Sequence, residues 1–246
     1  MSSMQLPNQV SLLHRSQVYQ LLTQVADDSF LSKNLIFKGG TCAALLGYLD
    51  RFSVDLDFDQ IDQTNAKQVK KSLEKIFHKL DLVIKDQSRS TVQYRLKYET
   101  NSSQRNTLKL DAVSQALESD IHSPQYIADI DRYMTCQTIE TMFAHKLVAL
   151  LDRYKKHGSI AGRDIYDLHY FFIHSYSYHP AIITQRTGKS VQAYLKELKN
   201  FIEAKVSQVI IDQDINTLLA PNQFQKIRKV LKPELLVLIS EHLKII

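Results

Sequence analysis

The feature that most constrains this chain is a glycine pair set shortly ahead of alternating carboxylates. Leu35-Ile36-Phe37 is a short apolar run that reads as a buried strand, cut off at Gly39-Gly40. Thr41 to Tyr48 reads as a short apolar helix. Val54 to Phe58 then alternates, with Val54, Leu56 and Phe58 on one face and Asp55, Asp57 and Asp59 on the other, as a half-buried strand does. A glycine turn between strand and helix lets backbone N–H groups approach phosphates, and the helix N-terminus favours their charge. Residues two apart on a strand point the same way, roughly 6–7 Å from each other, so Asp55 and Asp57 can converge on a hard divalent cation.

Either half alone is unremarkable: an isolated Asp-x-Asp reads as an exposed edge strand, and a lone glycine turn is common. Two further features join them. Asp111 lies on a later alternating strand and can complete a three-carboxylate cluster, which two-metal phosphoryl chemistry shares between ions about 3.5–4 Å apart. Arg51 and Ser53 stand immediately ahead of the carboxylates, able to reach a triphosphate.

The rest of the first half alternates helix and strand patterns. Helices are expected over residues 9–27 and 64–80, the second with Val69, Leu73, Ile76, Phe77 and Leu80 as its apolar stripe and its lysines mostly off it. Strands are expected at Leu82–Ile84, Thr91–Tyr98 and Thr107–Val113, the last two as a hairpin across a polar turn at 101–104. After Pro124 the signals turn helical, over 138–154, 163–173 and 191–211, then near 222–231 and 234–245 with Pro233 between. The expected fold class is α+β: a mixed sheet with flanking helices over residues 1–120, then a helical C-terminal domain over 121–246.

Composition adds little beyond exclusions. With 246 residues, 44% hydrophobic and 23% charged, the chain can build a substantial core. A net charge of +5 is compatible with a polyanionic partner without requiring one. The two cysteines, Cys42 and Cys136, have neither metal-type spacing nor a disulfide framework, which points to a reducing cytoplasm. The first residues lack the basic and apolar regions of a secretory signal, and no apolar run approaches bilayer length, so no membrane association is expected.

At this point the residues resemble a known family. Lys38-Gly39-Gly40-Thr41, then Arg51-Phe52-Ser53-x-Asp55-Leu56-Asp57-Phe58, is similar to the first motif of the AbiEii/AbiGii toxin-type nucleotidyltransferases. These belong to the DNA polymerase β-like superfamily and include the mycobacterial MenT enzymes. His145-Lys146-Leu147, running on to Asp152-Arg153, resembles the family's lysine helix, and Arg163-Asp164-Ile165-Tyr166-Asp167-Leu168 its Arg-Asp-x-x-Asp-Leu element. The resemblance spans roughly residues 36–172.

It implies a nucleotidyltransferase fold and a toxin of a type IV toxin–antitoxin or abortive-infection system. Such an enzyme moves a nucleoside monophosphate from an NTP to an acceptor hydroxyl, by implication a tRNA 3′ end or another RNA, with an antitoxin protein as partner. Mg2+ or Mn2+ would sit on Asp55, Asp57 and Asp111. Lys38, Gly39, Gly40, Thr41, Arg51, Ser53, Lys146 and Arg153 would bind the nucleotide, and Asp55, Asp57, Asp111, Lys146 and Asp164 would be the catalytic set. From spacing alone, Lys146 can equally snorkel beside an apolar stripe, Arg163 and Asp167 can pair four residues apart, and Asp164 shares a face with Leu168 and Phe171, where it needs a partner such as Lys146.

Rival readings remain: transfer to a Ser, Thr or Tyr hydroxyl of a protein, or a non-catalytic nucleotide- or RNA-binding module. A glycosyltransferase also uses Asp-x-Asp but requires neither the glycine pair nor the lysine helix. His169, His174 and His179 are not spaced for one metal, the aromatic run from Tyr166 to Tyr178 suits a core, and Thr187-Gly188-Lys189-Ser190 lacks the strand and earlier glycine of a P-loop.

Overall fold

In the computed structural model, residues 10–51, 53, 55–99 and 106–246 are described. The polar turn expected at 101–104 and the side chain of Val54 lie outside them. The chain divides into two compact units, Asn8–Thr138 and Ile139–Ile246.

The first unit is built on a seven-stranded sheet among the described residues: β1 (Leu35–Lys38), β2 (Asp55–Gln60), β3 (Val83–Gln87), β4 (Val92–Lys97), β5 (Thr107–Gln115), β6 (His122–Ile127) and β7 (Arg132–Gln137). Their order is β3-β4-β5-β2-β1-β7-β6. β2 is parallel to β5 and antiparallel to β1, while β1 is parallel to β7. The carboxylate strand is therefore interior to the sheet, not an edge. β4 and β5 pair antiparallel, as the hairpin reading expects.

Helices α1 (Val10–Asp27), α2 (Leu31–Asn34), α3 (Gly39–Leu45) and α4 (Ala66–Lys79) complete the unit. The apolar stripe of α4 buries Val69, Leu73 and Phe77, with Phe77 edge-on to Tyr94 of β4 at 5.0 Å between centroids. Leu21, Leu22 and Val25 of α1 are equally enclosed, and Phe37 meets Phe58 across β1 and β2. Burying side chains of this size contributes about 1.5–3 kcal/mol each.

The sheet is larger than the sequence patterns indicate. β6 and β7 occupy a stretch expected to begin the helical part, so the division falls after Thr138 rather than near residue 120. β6 is a weakly patterned edge strand carrying Pro124, a residue tolerated there because an edge leaves some N–H groups unpaired.

The second unit contains α5 (Ile139–His157), α6 (Gly162–Ile173), α7 (Pro180–Thr187), α8 (Val191–Lys205), α9 (Gln208–Ile215), α10 (Pro221–Ile227) and α11 (Leu231–Ile245). The single helix expected over 191–211 is two: Val206 is extended, and Ser207 caps α9 by accepting from the Ile210 N–H. Pro233 sits inside the first turn of α11, where a missing N–H costs nothing, rather than separating two helices. The Thr187–Ser190 segment joins α7 to α8, with Gly188 left-handed at φ 67° and Ser190 capping α8. Its P-loop likeness is thus a pair of helix caps. Of the aromatic run, Tyr166 and Phe171 are buried and the others are partly covered; Phe143 packs against Phe171 and Phe172 at 5.1 and 4.9 Å between centroids.

Candidate active site

The site residues of the first unit converge on β2. Asp57 lies level with Lys38 of β1 on one side and with Asp111 of β5 on the other. Leu56, Phe58, Leu110 and Ala112 point into the core, so Asp55, Asp57, Lys109 and Asp111 share the opposite, partly exposed face. Burial, then the charges of Asp55 and Asp111, push the Asp57 carboxyl above the usual carboxylate range, against the pull of Lys38 and Lys109.

The glycine pair is fitted to these groups. Gly39 adopts φ +80°, and a Cβ added there would lie 2.5 Å from Asp57 Oδ2. A Cβ on Gly40 would lie 2.9 Å from Arg51 Nη2 and 3.0 Å from Ser53 Oγ. The turn therefore brings the Asp57 carboxylate, the Arg51 guanidinium and the Ser53 hydroxyl to one stretch of bare backbone at the start of α3. Thr41 is buried and donates its hydroxyl to the Asp55 carbonyl, tying α3 to the carboxylate strand.

Asp59 keeps the expected alternation, level with Ile36 in an unbroken β1–β2 register, but it is buried. The β2–β5 register shifts between Asp57 and Asp59, and Asp59 is 2% exposed, held by the Lys38 ammonium and by the Gln137 amide at 2.7 Å. The extra residue of the shift lies in β5, where Asp111 to Ser114 faces Asp57 to Asp59, so Asp59 stays on the face of Asp57 and Lys38.

Among the described residues, no three His, Cys, Asp or Glu side chains are already closed around one point as a metal cage. The carboxylates nonetheless fit a hard divalent cation. All three are oxygen donors on one face, their mutual repulsion is visible at Asp57, and Asp111 Oδ1 is buried without a hydrogen-bond partner. The other Asp111 oxygen accepts from Lys109. Lys109 and Gln137 were not among the expected site residues, although Lys109 stands two positions before Asp111 on an alternating strand and so must share its face.

A second polar cluster lies within the helical unit. Lys146 of α5 donates to Asp164 at 2.9 Å and reaches Asp167 at 2.8 Å, both carboxylates being fully buried on α6. Arg153, two turns along α5, donates to the other Asp164 oxygen at 3.3 Å. Burial works to raise the Asp164 carboxyl, but Lys146 and then Arg153 outweigh it and the carboxyl ends below its ordinary range. The partnership of Asp164 with Lys146 is present, while Asp167, expected to pair with Arg163, turns to Lys146. His169 is bound to Glu234 at 2.8 Å, which accounts for it without a metal.

A family model described as the nucleotidyl transferase AbiEii toxin of a type IV toxin–antitoxin system matches residues 20–233. The chain belongs to the AbiEii nucleotidyltransferase family. It is accordingly a nucleotidyltransferase, and both clusters fall inside the matched span. No curated protein matches. Among solved structures, JHP933 from Helicobacter pylori is similar with a TM-score of 0.61 at 24% identity, over 98% of this chain and 94% of that one. Another solved structure from H. pylori, described as a candidate nucleotidyltransferase, gives a TM-score of 0.64 at 23% identity, covering 97% and 96%. These likenesses establish the α+β nucleotidyltransferase fold with its C-terminal helices. Among the described residues, no helix is long and apolar enough to cross a membrane.

Proposed function

We propose that this family member transfers a nucleoside monophosphate from an NTP to the 3′-terminal hydroxyl of a tRNA, arresting growth in the cytoplasm unless an antitoxin intervenes. The observation that carries the reading is the fit of bare backbone at Gly39 and Gly40 to Asp57, Arg51 and Ser53, with Asp57 level with Asp111.

In this reading the N–H groups at the start of α3, the Arg51 guanidinium and the Ser53 hydroxyl hold the β- and γ-phosphates, with Lys38 nearby. Lys146 and Arg153, nucleotide ligands by family resemblance, are held within the helical unit by Asp164, which orients Lys146. Magnesium or manganese held by Asp55, Asp57 and Asp111 would neutralise the triphosphate and polarise the α-phosphorus. The acceptor oxygen bonds to that phosphorus as the bond to the bridging oxygen breaks, and pyrophosphate leaves. The hydroxyl proton passes to a carboxylate, for which Asp111 Oδ1 is the unpartnered atom. The protein's contribution is alignment and charge placement rather than covalent chemistry.

The test incubates the enzyme with each labelled NTP and either total tRNA or a tRNA-free protein extract. Label is expected in tRNA, and Asp57→Asn is expected to abolish it together with growth inhibition. Label entering protein alone would replace the acceptor, and an Asp57→Asn enzyme as active as the parent would end the metal-dependent reading.

A further inference from the structure

The open face of the sheet continues past the carboxylates. From β2 it runs through β5 to β4 with every pairing in register: Asp55 beside Lys109, Lys109 beside Arg95, Asp57 beside Asp111, Asp111 beside Gln93, and Thr107 beside Lys97. The buried partners Leu108, Leu110, Ala112, Val92, Tyr94 and Leu96 fix the parity, so the residues between them face outward. A row of cations, Lys109, Arg95 and Lys97, therefore borders the carboxylates. Lys109 is tied to Asp111, whereas Arg95 and Lys97 are exposed and make no ion pair with a described residue.

A hollow of about 280 Å³ opens on this face, lined by Arg95, Lys109, Gln93, Gln87 and Asp86 among others. Its centre is roughly 10 Å from β2, two strand spacings away. The lining is mixed: two cations suited to a phosphate, and carboxylate and amide groups suited to ribose hydroxyls and base edges.

We infer that this hollow and the Arg95–Lys97 row form the track along which an RNA acceptor strand reaches the carboxylates. The inference rests on the transfer reaction proposed above. In-line displacement places the attacking and leaving oxygens on opposite sides of the phosphorus. Gly39, Gly40, Arg51 and Ser53 gather on the β1 side of β2, so the pyrophosphate end belongs there. The acceptor must then enter from the β5–β4 side, where Lys109 and Arg95 stand. A protein acceptor has no phosphates for these cations to grip, so the track also favours RNA over a protein hydroxyl.

Arg95→Ala, Lys97→Ala and the double variant test the track. These positions are exposed, so folding should be unaffected, as thermal melts would verify. With tRNA and a short single-stranded RNA bearing a 3′ hydroxyl as acceptors, the double variant is expected to raise KM for RNA about tenfold, as loss of charged hydrogen bonds does. KM for the NTP should not move. The slope of log RNA affinity against log salt should flatten by about 0.7 for each lost contact. If the parent labels RNA and the variants match it, or if KM for the NTP rises instead, the track is wrong and the transfer reading stands. If the parent labels protein alone, the RNA acceptor and the track fall together.

Discussion

The two polar clusters of this enzyme are built on opposite electrostatic principles. On the sheet, Asp55, Asp57 and Asp111 crowd one face with more negative charge than Lys38 and Lys109 offset, and Asp57 is pushed up in consequence. In the helical unit, Lys146 and Arg153 meet Asp164 and Asp167 at equal numbers, and Asp164 is held down. The first cluster carries an excess of negative charge that a bound cation would offset. The second is self-neutralised and stabilises the helices that carry it. Loss of activity therefore means different things in the two places, and stability must be measured beside it.

The largest expected effect separates them most cleanly. Asp57→Asn should lower transfer at least about a thousandfold, some 4 kcal/mol of transition-state stabilisation, while the melting temperature of the metal-free protein rises because a repelling charge is gone. Magnesium should raise the melting temperature of the parent and not of the variant. A variant that melts lower than the parent would show that Asp57 is not under repulsion.

Lys146→Ala should do the reverse. It takes the ammonium away from the buried Asp164 and Asp167 carboxylates, a loss that costs about 3–5 kcal/mol. Denaturant melts should register this loss, and the variant's activity should be read at a temperature where it is still folded. If stability is unchanged, the pairing is not structural and Lys146 serves the substrate alone.

Gly40→Ala comes next. Its Cβ would displace Arg51 and Ser53 but not backbone, so the fold should survive while KM for the NTP rises roughly tenfold, on the order of one charge-assisted hydrogen bond. Equilibrium binding of a non-hydrolysable NTP would check it.

The smallest effect is the acid limb of stability. A carboxyl held below its ordinary value in the folded state contributes stability that is full above the unfolded value and fades as pH falls through the folded one. Asp164 should therefore weaken the helical unit below the ordinary carboxylate range near 3.8. Asp164→Asn, already less stable at neutral pH, should show a flatter decline there in pH-dependent denaturation.

The same contrast explains what could be read in advance. The Gly39–Asp57 region was legible because period-two alternation and a glycine turn are local signals, and Asp111 and Lys109 follow from one more alternating strand. Asp59 falls on the expected face, but its burial under Lys38 and Gln137 leaves no mark in an alternating pattern. β6 and β7 were missed because edge pairing lets Pro124 and exposed tyrosines stand where periodicity would be sought. The α8–α9 break was hidden because apolar spacing runs through Val206, and Ser207 looks the same as a cap or as a surface residue. Lys146 and Asp164 drew attention through family likeness, since spacing alone allowed a snorkelling lysine.

One close contact in the helical unit has a bearing on how such enzymes can be recombined. A Cβ on Gly162 would meet the Ile210 carbonyl oxygen at 2.5 Å, and the Gly162 N–H donates to Asp214 at 2.7 Å. The start of α6, two residues ahead of Asp164, is thereby keyed to α9. The tail beyond residue 175, which carries no recognisable motif, is the mould in which the buried carboxylate is set. Chimaeras between family members that exchange the tail should keep residues 161–164 and 207–215 from one parent; splitting them would transplant a lock without its key.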